Sequence, residues 1–169
     1  MLCPNCQAQM TGFSLDGHLG RSVGIEICNN CQAFWFDKYE SLQLTEASVS
    51  ELFGVIKDAS QGKPAVRLSL DARCPRCDRR LRVVHDMQKS TRFEYRGCPN
   101  DHGRLITFFN FLREKNFIKP LSQEQIDELR KKLRTVNCSN CGAPVDLAHR
   151  TICEHCDSPL SMVEWKAPE

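Results

Sequence analysis

No stretch of this chain approaches the roughly 20 consecutive apolar residues that a membrane-spanning helix needs, and the mean hydropathy is −0.42. The opening residues, Met1-Leu2-Cys3-Pro4-Asn5-Cys6, carry neither the basic nor the apolar segment of a secretory signal. Aromatic residues make up 8%, with two Trp and two Tyr. That is little material for one large core, so several small units are expected instead. No Ser/His/Asp set and no paired carboxylates stand out, and an enzyme is not expected. A cytoplasmic location is expected, where thiols stay reduced and cysteine pairs serve metals rather than disulfides.

Cysteine is what the chain has in excess, 11 of 169 residues. Units below about 40 residues rarely bury enough apolar surface to fold unaided, and cross-linking by metal makes up the difference. Ten of the cysteines form Cys-x-x-Cys pairs: Cys3/Cys6, Cys28/Cys31, Cys74/Cys77, Cys138/Cys141 and Cys153/Cys156. The eleventh, Cys98, is followed four residues later by His102. Six half-sites make three sites, with 21, 20 and 11 residues between their halves. A Cys-x-x-Cys knuckle turns tightly enough to aim two sulfurs at one ion about 2.3 Å away, and two knuckles complete a tetrahedron. Three zinc ions are therefore expected, each with all four positions filled by protein, the mark of a structural site. Iron is the rival metal, because four-cysteine sites also hold iron and iron–sulfur clusters; the Cys/His half-site favours zinc. For the second site the spacing favours His102, with Asp101 beside it and His85 in the same unit as alternatives. His18, His149 and His155 have no such placement and read as surface residues.

The first two units repeat at a period of about 71 residues, Cys3-Pro4-Asn5-Cys6 against Cys74-Pro75-Arg76-Cys77. After the second knuckle each copy turns apolar, as Phe34-Trp35-Phe36-Asp37 and as Leu105-Ile106-Thr107-Phe108-Phe109. Cys3-Pro4-x-Cys6, then Gly24-Ile25-Glu26-Ile27-Cys28-Asn29-Asn30-Cys31, then Trp35-Phe36-Asp37 and Glu40, resembles the bacterial transcription factor IIB-type zinc ribbon family. The resemblance covers about residues 2–43 and, more loosely, 73–112. It implies a β-hairpin fold, a zinc ion and a short acidic helix, and only weakly a function. Gln32-Ala33 stand where that family usually has two glycines, and the second copy has His102 for the last Cys and no Trp. The third unit, Cys138 to Cys156, is similar to the short ribbons of double-zinc-ribbon and rubredoxin-like proteins, with Gly142 where a positive φ is often needed.

Two helices are expected between the units. Ser48-Val49-Ser50-Glu51 reads as a capping box opening a helix to about Ala59, with Leu52, Phe53 and Ile56 on one face, ended by Gly62-Lys63-Pro64. Ser122-Gln123-Glu124-Gln125 is a second capping box, with Leu121 and Ile126 as a hydrophobic staple and Leu129 and Leu133 continuing the apolar stripe to about Arg134. The expected organisation is a small metal-stabilised α+β protein of three zinc ribbons: ribbon 1 at 1–44, helix and linker at 45–71, ribbon 2 with a Phe-rich extension at 72–119, a connector helix at 120–135 and ribbon 3 at 136–169. Each ribbon is expected to depend on its own ion.

The net charge of +2 hides an uneven distribution. Residues 1–62 carry −4, residues 63–96 carry +6 and the remainder is neutral. Zinc-bound Cys is thiolate, so three loaded sites would take the protein to about −3. The basic run extends from Arg67 to Arg96 and includes Arg73, Arg76, Arg79, Arg80, Arg82, Lys89 and Arg92. Strand alternation would put Arg80 and Arg82 on one face and Arg79 on the other. Arg pairs bidentately with phosphate or carboxylate, and Phe93 and Tyr95 could stack on bases. The apolar run Phe108 to Ile118 is expected to pack between the units in preference to forming a partner groove. The expected function is non-enzymatic: an adaptor for another protein, with the Phe-rich 105–118 segment and the 76–96 basic face as candidate surfaces. Nucleic-acid binding through residues 73–96 is the alternative; neither a membrane nor a small-molecule substrate is expected.

Overall fold

The computed structural model describes residues 1–38, 43–59, 65–88, 91–140 and 143–163. Six strands form one antiparallel sheet: β1 (Thr11–Asp16), β2 (Ser22–Cys28), β3 (Ala33–Asp37), β4 (Arg82–Gln88), β5 (Thr91–Gly97) and β6 (Gly103–Thr107), in the order β1-β2-β3-β6-β5-β4. Each Cys-rich repeat thus supplies a three-stranded meander, and the two meanders join edge to edge. The divisions expected at residues 44 and 72 coincide with no break in hydrogen bonding, because β3 of the first repeat pairs with β6 of the second. Their ladder runs from Ala33 opposite Thr107 to Asp37 opposite Gly103. Its central pair, Trp35 and Leu105, is the third residue of each five-residue strand. The sequence repeat therefore becomes a pseudo-two-fold about that pair, with β1, β2 and β3 corresponding to β4, β5 and β6.

This junction explains why β3 is apolar at successive positions. A strand with one wet face alternates; a strand covered on both faces does not. Phe34 and Phe36 enter a large cluster with Ile25, Ile27 and Ile106, whereas Trp35 enters a second cluster, with Leu105, Met10, Leu81 and cysteines of both repeats. Fully burying side chains of this size is worth about 1.5–3 kcal/mol each.

Helix α1 (Glu46–Ala59) covers the first face with Val49, Leu52, Phe53 and Ile56. It begins earlier than the expected Ser48 cap. The Ser48 amide donates to Thr45 Oγ1 at 3.1 Å, so Thr45 caps the helix. Ser48 is buried in the first turn, and its hydroxyl donates to the Asp16 carbonyl at 2.7 Å, tying α1 to the end of β1. The expected stop at Gly62-Lys63-Pro64 and the acidic position Glu40 lie outside the described residues.

The Phe-rich segment packs between elements as expected, and its role as a candidate surface is corrected. It holds an unexpected helix, α2 (Phe108–Glu114), capped by Thr107, whose side chain accepts from the Asn110 amide. Phe108, Phe109, Phe111, Leu112, Phe117 and Ile118 are all buried. Phe111 packs edge-on to Phe34 at 5.1 Å, and Phe117 packs edge-on to Phe53 of α1 at 4.1 Å. Residues 105–118 are thus core and do not offer a free interaction surface. Glu114, 2% exposed, is held by Arg104 at 2.6 Å.

Strand β7 (Ile118–Pro120) leads to α3 (Gln123–Lys132). The Ser122 capping box forms with both of its hydrogen bonds. The helix ends two residues short of Arg134, and Leu133, in extended backbone, is half exposed. Rather than only connecting, α3 belongs to the third unit: Leu121 and Leu129 pack on Cys138, Val145, Leu147, Cys153 and Leu160, and Arg130 Nε donates to the Leu147 carbonyl at 2.6 Å. That unit contains the pair β8 (Thr135–Asn137) and β9 (Pro144–Asp146), and β10 (Ser161–Val163) returns to pair with β7. Among the described residues no helix is long and apolar enough to cross a membrane.

Candidate metal centres

The first three half-sites and the last are built alike. In the turns that begin at Cys3, Cys74 and Cys153 the amide after the second cysteine reaches back to the carbonyl of the first: Gln7 to Cys3 at 3.0 Å, Asp78 to Cys74 at 2.9 Å and Asp157 to Cys153 at 2.8 Å. The residue after the second cysteine then adopts a left-handed φ: Gln7 at 62°, Gln32 at 48°, Asp78 at 58° and Asp157 at 60°. Such a conformation in a non-glycine residue costs about 1–3 kcal/mol and persists where its surroundings over-determine it. Gln32 takes this conformation without the glycine that the resemblance would place there.

Cluster 1 gathers Cys3, Cys6, Cys28 and Cys31, their four sulfurs all within 4.8 Å of one another. Cys3 and Cys31 sulfurs are 3.8 Å apart, Cys6 and Cys28 sulfurs 3.5 Å. A disulfide would need about 2.05 Å. A tetrahedron of thiolates about 2.3 Å from one ion has edges of about 3.8 Å. The donor set therefore fits a single four-coordinate ion. Hydrogen bonds from the Cys28 and Cys31 thiols hold Cys3 down to about 2, and the same crowding pushes Cys28 up to about 11 and raises Cys31 as well. A cation placed among the four sulfurs would be held by their thiolate forms.

Cluster 2 gathers Cys74, Cys77, Cys98 and His102 in the same way. The Cys77–Cys98 sulfur distance is 3.6 Å, and His102 Nδ1 lies 3.6 Å from Cys98 and 3.9 Å from Cys74. The extra residue in this half-site is absorbed by Asp101 at φ 58°, which turns His102 inward. Asp101 itself points outward, 76% exposed, toward Lys38. His85 is 79% exposed on β4, opposite Glu94. Burial pushes the Cys74 thiol up to about 11; Cys77 is lowered, chiefly by the Arg79 amide. Cluster 3 brings Cys138, Cys153 and Cys156 within the same limit, with Cys138 and Cys156 sulfurs 3.6 Å apart. Cys141 lies outside the described residues. Burial opposes ionisation of Cys156, but hydrogen bonds from the side chain and backbone of Ser158 bring it down to about 7. His18, His149 and His155 are exposed.

Asn residues at the second position after the first cysteine had no role in the sequence reading, yet they support the sulfurs. The Asn5 amide donates to Cys3 Sγ at 3.4 Å, and its side-chain Nδ2 donates to Cys31 Sγ at 3.2 Å. Asn100 repeats both contacts, to Cys98 at 3.3 Å and Cys77 at 3.6 Å. The recurrence of Cys-x-Asn at Cys3, Cys28, Cys98 and Cys138 was the available signal. Asn5 also stitches the linker: Nδ2 donates to the Arg67 carbonyl at 3.0 Å, and Oδ1 accepts from the Ser69 amide at 2.7 Å. Asn5→Ala removes the side-chain contacts to Cys31, Arg67 and Ser69, keeps the backbone amide on Cys3 and leaves a partly buried acceptor; a loss of about 1–3 kcal/mol is expected, with faster metal transfer from cluster 1 to a chromophoric chelator. Unchanged transfer kinetics would show that Asn5 only anchors the linker.

Clusters 1 and 2 share one setting. Cys3, Cys28, Cys31, Cys74 and Cys98 all enter the buried cluster around Trp35 and Leu105. Asp37, at the end of β3, accepts from Trp35 Nε1 at 3.2 Å and takes the Arg76 guanidinium of the Cys74 knuckle at 3.0 and 2.7 Å. The fold and these donor sets define a small α+β protein with three cysteine-rich clusters able to hold metal ions. Comparison with family models, curated proteins and solved structures returns no match.

Proposed function

We propose that the three clusters hold zinc in a ribbon-like setting and that the protein is a non-enzymatic adaptor whose shape the metal maintains. The observation that carries this reading is the closure of clusters 1 and 2: four donors each, mutually within 4.8 Å and mostly buried, which leaves no position for water or substrate. The Cys/His donor set of cluster 2 suits zinc better than an iron–sulfur centre. Protein purified without added metal is expected to contain three zinc ions per chain by elemental analysis; iron, or a value near two, would overturn the assignment.

The adaptor reading is supported over nucleic-acid binding by how the basic run is used. Arg76 is paired with Asp37 at 2.7 Å and Arg80 with Asp71 at 2.9 Å, and Arg73 lies 3.8 Å from Asp78. Those three guanidiniums are engaged locally and are less available to a phosphate backbone. Arg80 precedes β4, so the expected pairing of Arg80 and Arg82 on one strand face does not arise. Affinity capture from lysate, with and without nuclease, tests the proposal. A protein retained after nuclease and lost on metal stripping is expected; recovery that depends on nucleic acid would sink it.

A further inference from the structure

Two adjacent cavities lie between the sheet and the third unit, one of about 560 Å³ and one of about 120 Å³. Both are lined by Glu94, Asn110, Asn140 and Cys156. Arg92 and Arg113 line the larger, Arg67 and Arg96 the smaller. These four arginines differ from those spent on ion pairs, and from Arg79 and Arg82, which lie outside both cavities. Arg73, Arg76, Arg80 and Arg104 each have a carboxylate partner, at 2.6 to 3.8 Å. Among the described residues Arg67, Arg92 and Arg113 have no ion pair within 4.0 Å, and Arg96 has only Glu94 at 3.9 Å. The Arg96 side chain is 11% exposed, and its buried Nε has no hydrogen-bond acceptor among the described residues. A buried guanidinium N–H without an acceptor is costly, but this atom is closed off from the cavity, and what Arg96 brings to the lining is its charge.

We infer that this cleft binds a small organic molecule carrying a di- or triphosphate. Four guanidinium forks exceed what one phosphate uses, and Arg matches phosphate oxygens bidentately. The larger cavity falls within the range of small-ligand sites, roughly 300–1,000 Å³. Its wall includes Phe109 and Met87, which give an organic moiety apolar contact beside the charged groups. The side-chain amides of Asn110 and Asn140 add neutral polar groups to the lining. Asp86 and Glu94 are the acidic groups facing the cleft, and the thiolates of clusters 1 and 3 approach it through Cys31 and Cys156. The competing role for the arginines is to offset that thiolate charge, and it predicts no anion binding at all.

The test uses the full zinc-loaded chain with three probes: inorganic pyrophosphate, adenosine diphosphate and a twelve-residue thymidine oligonucleotide. Saturable binding of one pyrophosphate and one adenosine diphosphate per chain is expected, with mutual competition and at least ~10-fold tighter binding of the organic probe. Arg92→Ala with Arg113→Ala should weaken both by at least ~10-fold, while Arg79→Ala, an arginine outside the cleft, leaves both unchanged. Zinc content and amide dispersion show that the variants are folded, and Arg92→Ala alone, at an exposed position, serves if the double change disturbs packing. Absence of saturable binding at millimolar probe would overturn the inference. So would an equal loss in Arg79→Ala, or oligonucleotide binding that pyrophosphate does not displace.

Discussion

Replacing Cys74 by Ser is expected to cost the protein two metal ions rather than one. The substitution removes a ligand of cluster 2, and apparent zinc binding in structural sites, about 10–16 kcal/mol, is folding free energy. Three self-sufficient ribbons would confine the damage to residues 72–119. The structure predicts a wider loss. Cys74 and Cys98 share one buried cluster with Cys3, Cys28 and Cys31 around Trp35 and Leu105, and the meander that cluster 2 organises supplies β6, the hydrogen-bonding partner of β3. Unfolding it would expose the edge of β3 and both of its covered faces, including Phe34 and Phe36. Elemental analysis of Cys74→Ser should therefore approach one zinc per chain. Amide dispersion should vanish from residues 1–37 as well as 72–114 and survive in 135–163, which has its own cluster of buried residues. Two zinc ions with an undisturbed first repeat would show that the junction is dispensable. Complete chelation should abolish dispersion throughout.

Gly103→Ala tests the same junction without touching a ligand. A Cβ at this position would lie 2.5 Å from the Phe36 carbonyl oxygen and 2.6 Å from Trp35 Cζ2. Neither neighbour is free to move: the carbonyl belongs to a central strand, and the indole is buried and held through Nε1 by Asp37. Relief requires β3 and β6 to separate at their Asp37–Gly103 end, which would disturb the Arg76–Asp37 pair as well. Overpacking of this kind costs about 1–3 kcal/mol, occasionally more, and the upper end is expected here because one contact is with backbone. For a chain of this length that is a fall of roughly 6–12 °C in Tm, with three zinc ions retained. Gly24→Ala is the control, since a Cβ there meets nothing within 4 Å; an equal fall in both variants would remove the junction as the cause.

What the sequence alone carried was chemistry at short range. Cysteine spacing paired the half-sites, because a knuckle is closed by four or five successive residues and needs no distant partner; the structure brings the residues of those half-sites that it describes into three clusters. Ser122 with Gln125 announced α3 for the same reason: a capping box is complete within its own turn. The repeat of about 71 residues was legible too, but not that its copies join edge to edge. That depends on β3 meeting β6, a contact about 70 residues apart in the chain that leaves no periodic trace. With the junction undetected, Trp35 read as a family feature rather than the pivot of a pseudo-two-fold, and the Phe-rich segment, though expected to pack, had no specific core to cover and stayed a candidate surface. The geometry that turns His102 inward and Asp101 outward was likewise decided by backbone, a left-handed φ at Asp101 that spacing leaves open. The basic run was visible as composition, but only the tertiary structure separates arginines spent on Asp37 and Asp71 from arginines that line the cleft, because ion pairing is a property of distance in space.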